Sequence, residues 1–143
     1  MIKTFRGQIA DGAQDTIVLH TNDGSTGYRI VKFQVMQDEP GQESTEHTVK
    51  IYKTKQTTVD NTVNFSDGHL LGVALWHKHS GVTYPSDNTV IFDTEVFNQD
   101  IYLTHVDTDG TYPCNYYVEL EQMKLDKAEN TVATLKNIRN LQP

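Results

Sequence analysis

The chain has 143 residues, 36% of them hydrophobic and 22% charged. That is the composition of one ordinary globular domain with room for its own core, and it excludes a disordered or fibrous chain. The formal charge of −7 argues against binding a phosphate backbone, which needs clustered Lys and Arg, so no nucleic-acid partner is expected.

The opening stretch, Met1-Ile-Lys-Thr-Phe-Arg-Gly, lacks the apolar core of a signal peptide, and no later run approaches membrane-spanning length. The expectation is a soluble chain, with no membrane partner, that works inside the cell or particle that assembles it. Asp-Gly pairs stand at 11–12, 23–24, 67–68 and 109–110, with Pro40-Gly41 and Ser80-Gly81 between them. Such pairs signal turns, because glycine tolerates positive φ and aspartate bonds nearby backbone. Between them lie runs rich in Val, Ile, Thr, Tyr and Phe, which predict strands at about 2–10, 15–21, 27–37, 47–55, 69–77, 88–93, 99–106 and 114–125.

Alternation is clearest in "YRIVKFQVM", where Val31, Phe33 and Val35 share one face and Lys32 and Gln34 the other. In "NYYVELEQM", Tyr116, Val118 and Leu120 oppose Tyr117, Glu119 and Glu121. Strands of this kind belong to antiparallel sheets with one solvated face. The fold expected is mainly β: a single antiparallel β-sandwich or jelly roll of about eight strands over 1–125.

The ending changes character. In "LDKAENTVATLKNIRNLQP", Asp126 is placed to cap a helix, with Glu129 three residues on. Ala128, Val132, Leu135 and Ile138 follow at helical spacing, and Lys136 and Arg139 suit a helix C-terminus. Residues 124–143 carry four basic and two acidic groups, against eight and 17 in the rest. A helical arm over 126–143 is therefore expected, packed on its own sandwich or docked on a neighbour. Val132, Leu135, Lys136, Ile138 and Arg139 are its candidate interaction residues.

The stretch that most resembles chemistry is "WHKHSG" at 76–81. His77 and His79 are placed to share a metal, with His105 as the obvious third ligand. The same spacing puts them just beyond a core-facing stripe of Leu71, Val73 and Leu75, at the wet end of a strand. Transition-metal sites carry more His, Cys or carboxylate at fixed spacing, so surface histidines without metal are the expectation. "HVDTDGTYPCNY" glances at a calcium loop, with Asp107, Asp109 and Gly110 in place. Its first and twelfth positions would be His105 and Tyr116, however, and a hairpin turn explains it better. Cys114 reads as a small core residue, since a nucleophile would need a basic neighbour. There is no Gly-x-Ser-x-Gly elbow, phosphate loop, dinucleotide fingerprint or His-Glu-x-x-His, so neither catalysis nor a cofactor is expected. Asp38-Glu39 and Glu119/Glu121 read as solvated faces. Tyr28, Trp76, Tyr84 and Tyr112 would be the platform of a carbohydrate-binding module, although strand packing is the default for such residues.

Three stretches taken together, "MIKTFRGQIADGAQDTIVLHTNDGSTGYRIVKFQ", "VIFDTEVFNQDIYLTH" and "CNYYVELEQMKLDKAENTVATLKNIRN", resemble a family of small virion structural proteins from tailed phages of marine bacteria. The resemblance implies a particle component located in the virion. Capsid decoration (cement) is the role expected within the particle. The partners are then the major capsid protein or other virion proteins, and the protein is a homo-oligomer. A tail or neck component, adhesive through a carbohydrate-binding module, is the alternative.

Overall fold

The computed structural model describes residues 1–41, 44–79 and 84–139; within the last ten residues of that span it describes the side chains of 131–135. Eight strands and one helix follow in order: β1 (Ile2–Ile9), β2 (Gln14–Ile17), β3 (Thr26–Gln37), β4 (Thr45–Tyr52), β5 (Leu70–Lys78), β6 (Ser86–Ile91), β7 (Ile101–Asp107), β8 (Cys114–Lys124) and α1 (Lys127–Arg139). Each expected strand is present, and all pairs between strands are antiparallel.

The strands form a three-stranded sheet, β1-β8-β3, and a five-stranded sheet, β2-β7-β4-β5-β6. Rolling an eight-strand ribbon into a jelly roll pairs β1 with β8, β2 with β7, β3 with β6 and β4 with β5. Three of those four nested pairs are made. The fourth is not, because β6 bonds to β5 instead. Among the described residues the sandwich is consequently open along β3, which ladders with β8 and on its other edge is bridged at Tyr28 by Phe97.

Three of the Asp-Gly pairs mark passages from one sheet to the other, not two-residue hairpins. Asp11-Gly12 lies between β1 and β2, Asp23-Gly24 between β2 and β3, and Asp109-Gly110 between β7 and β8. The hairpin expected at 109–110 is thereby corrected. Gly12 and Gly24 have φ of 77° and 67°, the left-handed conformation that glycine adopts without a Cβ penalty. Ser80-Gly81 lies outside the described residues.

Side chains of both sheets meet in one core. Ile9, Ile30, Phe33, Val118 and Leu120 pack from the first sheet, and Val49, Ile51, Ile101 and Leu103 from the second, each at most 2% exposed. The alternation read in β8 is kept. In β3 it is broken by a bulge between Ile30 and Lys32, which lets Ile30 and Phe33 both face inward and leaves Val31 only half-buried. A second irregularity, opposite Ile51 and Tyr52, inserts Leu71 into β5. The expected stripe is corrected there: Leu71, Ala74 and Trp76 enter the main core, while Val73 joins Tyr52 and Leu70 in a separate cluster. Leu75 is exposed.

That second cluster lies under the 53–69 connection. Lys50, 2% exposed, donates from Nζ to Asp60 Oδ1 (3.0 Å) and to the Thr62 carbonyl (2.6 Å). Phe65 meets Phe92 edge-on at 5.4 Å between centroids. The outer face of the first sheet is instead solvated. It carries the cross-strand pair Arg29–Glu121 (2.6 Å), and Tyr117 donates to Glu119 (2.9 Å). Both glutamates thus have partners that their spacing did not assign.

Candidate functional site

At one end of the core, three ligand-type side chains from three strands meet. His47 enters from β4, His105 from β7 and Cys114 from the first residue of β8. One nitrogen or sulfur from each lies within 4.8 Å of the others. All three residues are 0% exposed. The alternation rule explains why they are inside: His47 continues the inward series of Val49 and Ile51, and His105 that of Ile101 and Leu103. The same rule, applied to "TEHTVKIY" and "IYLTHVD", would have located both.

The hydrogen bonds set the tautomers. His105 Nδ1 faces the Ala10 carbonyl at 3.1 Å and therefore donates to it. His105 Nε2 then accepts from His47 Nδ1 at 2.8 Å. Among the described residues, His47 Nε2 is buried with no partner, as is Gln37 Nε2. Gln37 lies opposite Cys114 in the β3–β8 ladder, and its Oε1 accepts from the Thr45 hydroxyl at 2.6 Å. Burial lowers the pKa of both histidines. On His47 the second imidazole adds to that effect against the nearby carboxylates of Asp107, Asp38 and Asp11, so the pair is neutral. Burial also pushes the Cys114 thiol up to about 12. The histidines are the basic neighbours that the sequence did not identify, yet a thiol held this firmly is not a nucleophile.

Asp107 organises the adjoining turn. Its Oδ1 accepts from the backbone N–H of Glu46 (3.0 Å), Asp109 (3.2 Å) and Gly110 (3.1 Å), and its Oδ2 from that of Tyr112 (3.1 Å). Burial acts to raise its pKa, but these backbone donors outweigh it and hold the carboxyl below the ordinary Asp value. Backbone N–H groups occupy both oxygens, so the loop's resemblance to a calcium site has this structural explanation.

His77 and His79 lie elsewhere. Trp76 points into the core, and His77 therefore projects from the opposite face of the five-stranded sheet, away from His105. The two rings meet edge-on at 4.0 Å between centroids. His77 is half-buried and His79 exposed, with Nδ1 4.0 Å from Asp109 Oδ2. The trio His77, His79 and His105 is thus not assembled. Among the described residues, the group that converges is His47, His105 and Cys114.

The helix begins as expected, with Asp126 Oδ1 accepting from the Glu129 N–H at 2.7 Å. Ala133 is buried, and Asn98 Nδ2 donates to the Thr134 hydroxyl at 2.9 Å. These contacts tie one face of α1 to the 92–100 connection. The expected stripe lies on another face: Ala128 is exposed, and Val132 and Leu135 are 54% and 52% exposed. Val132 rims a shallow depression of about 330 Å³ with Val96, Leu125, Ala128, Glu129 and Ala133. The side chains of Lys136, Ile138 and Arg139 lie outside the described residues.

Along the open edge of β3 runs a cleft of about 950 Å³, lined on one side by residues 31–36 and on the other by Leu75, Trp76, Asp87, Thr89 and Ile91. The four aromatics considered for sugar stacking are scattered. Tyr28 (6%) and Trp76 (8%) are core residues, Tyr112 is half-buried and Tyr84 is exposed. No described helix is long and apolar enough to cross a membrane. No protein-family model matches the chain, and no curated protein matches it either.

Proposed function

We propose that this chain is a virion structural protein that acts through its surface, decorating the capsid by contacts with the major capsid protein and with copies of itself. The observation that carries this reading is the outward stripe on α1. The helix is anchored in cis by Ala133 and Thr134, yet Val132 and Leu135 remain exposed. A helix of this length is marginal on its own, and an apolar stripe gains stability only when a partner covers it. The open edge of β3 supports the same reading, since beyond the Tyr28–Phe97 bridge it offers backbone groups to an added strand. Cement proteins work by repeating modest interfaces across a shell, each on the order of 1,200–2,000 Å² in total.

The test is to truncate the chain after Leu125 and measure both melting temperature and incorporation into shells lacking the protein. A docking arm predicts a small loss of melting temperature, from the lost Ala133 and Thr134 contacts, and abolished incorporation. Unchanged incorporation contradicts the proposal. The tail-adhesion reading would need an exposed aromatic surface, and Tyr84 is the one member of the four that the fold exposes.

A further inference from the structure

We propose that His47, His105 and Cys114 form a buried binding site for one thiophilic transition-metal ion, of the Zn2+ or Cu+ class, that staples the two sheets together. Two imidazoles and a thiol are the donor set such ions select, and all three have an atom within 4.8 Å of the others. The ligands come from both sheets, β4 and β7 in one and β8 in the other. A bound ion would therefore add a link between layers held by side-chain packing and by cross-sheet hydrogen bonds such as Thr45–Gln37.

Three further features fit a metal. His105 donates its remote nitrogen to the Ala10 carbonyl, the outer hydrogen bond that metal-bound histidines commonly make, which leaves Nε2 directed into the cluster as a lone pair. Gln37, registered against Cys114 and 0% exposed, has a buried amide end with no partner among the described residues. A flip of that amide would turn an oxygen to the unpartnered position and its nitrogen toward the Thr45 hydroxyl. Asp11, Asp38 and Asp107 are close enough to act on the charge of His47. An ion held by one thiolate and two neutral imidazoles keeps a net charge of +1 for Zn2+, which these carboxylates offset.

The protons balance simply. The metal displaces the Cys114 thiol proton, which leaves to solvent, and the His47 proton transfers from Nδ1 to Nε2 by tautomerisation. The two imidazole nitrogens, now 2.8 Å apart, must open to about 3.3 Å for tetrahedral ligation with ordinary Zn–N bonds. Because the site is sealed, loading accompanies folding or local opening.

Co2+ is the probe. It is added to reduced, chelator-treated protein, both already folded and during refolding, and followed by visible and near-ultraviolet absorption. The expected result is one equivalent per chain, with a thiolate-to-cobalt charge-transfer band that Zn2+ bleaches. The wild-type melting temperature should rise with Zn2+ or Cu+. Cys114→Ser should lose the band and weaken binding at least about tenfold, while His79→Ala should leave both unchanged. Absence of the band from wild-type protein in both preparations overturns the proposal. So does binding that survives Cys114→Ser and is lost with His79→Ala, which would place the ion at the surface histidines.

Discussion

Asp107 gathers four backbone N–H groups on two oxygens, and its substitutions separate charge from geometry. Asp107→Ala should destabilise by about 3 kcal/mol, because four part-buried backbone donors lose their acceptor. Asp107→Asn can keep an oxygen at Oδ1 for three of the donors but sets an amide against the Tyr112 N–H, for a loss of about 1–2 kcal/mol. Urea denaturation of both variants checks the order. In the metal-free protein the histidine pair predicts a pH dependence. Burial lowers both pKa values from 6.5, so below 6.5 the unfolded chain binds protons that the folded chain does not. Stability should fall as pH drops from 6.5 to the folded values and level off beneath them. Asp107 and Asp100, held below 3.8, add a second loss as pH falls below that value. Melting temperature against pH measures this, and His105→Gln should flatten the first limb while leaving the second.

Lys50 and Asp126 act on whole segments. Lys50 is sealed beneath the 53–69 connection, which its ammonium holds through Asp60 and Thr62. Lys50→Met keeps the stem's packing but removes both bonds, at a cost of about 1–3 kcal/mol. Cleavage within 55–65 in limited proteolysis should accelerate ahead of global unfolding. Asp126→Ala should fray α1, read as lost helical circular dichroism, with the β signal unchanged. The strands themselves were readable because alternation and turn residues are local signals. The bulges at Val31 and Leu71 were not, and each moved a stretch of side chains by one position. That shift put Val73, Leu75 and His77 on the outer face, and it separated His77 from His105. The helix cap was readable from Asp126 and Glu129. Which face of α1 docks was not, because Ala133 finds its place against a connection remote in sequence.

The described residues form an open sandwich with three of a jelly roll's four nested pairs, and strand order depends on long-range pairing that local patterns do not carry. The His47–His105–Cys114 cluster was hidden for the same reason: His47 lies far in sequence from the other two, and the three meet only when the sheets stack. An acidic body, an open edge and a basic C-terminal segment with an outward apolar stripe together favour function by contact. Val132→Asp with Leu135→Asp should leave the isolated protein's melting temperature within about a degree, since both side chains are already exposed, while reducing self-association in light scattering. The most direct measurement is mass spectrometry of purified virions. The account predicts this chain in the particle at a fixed ratio to the major capsid protein, lost from it when Val132 and Leu135 are replaced. Its absence from purified virions, with the protein abundant in the infected-cell lysate, would contradict the account.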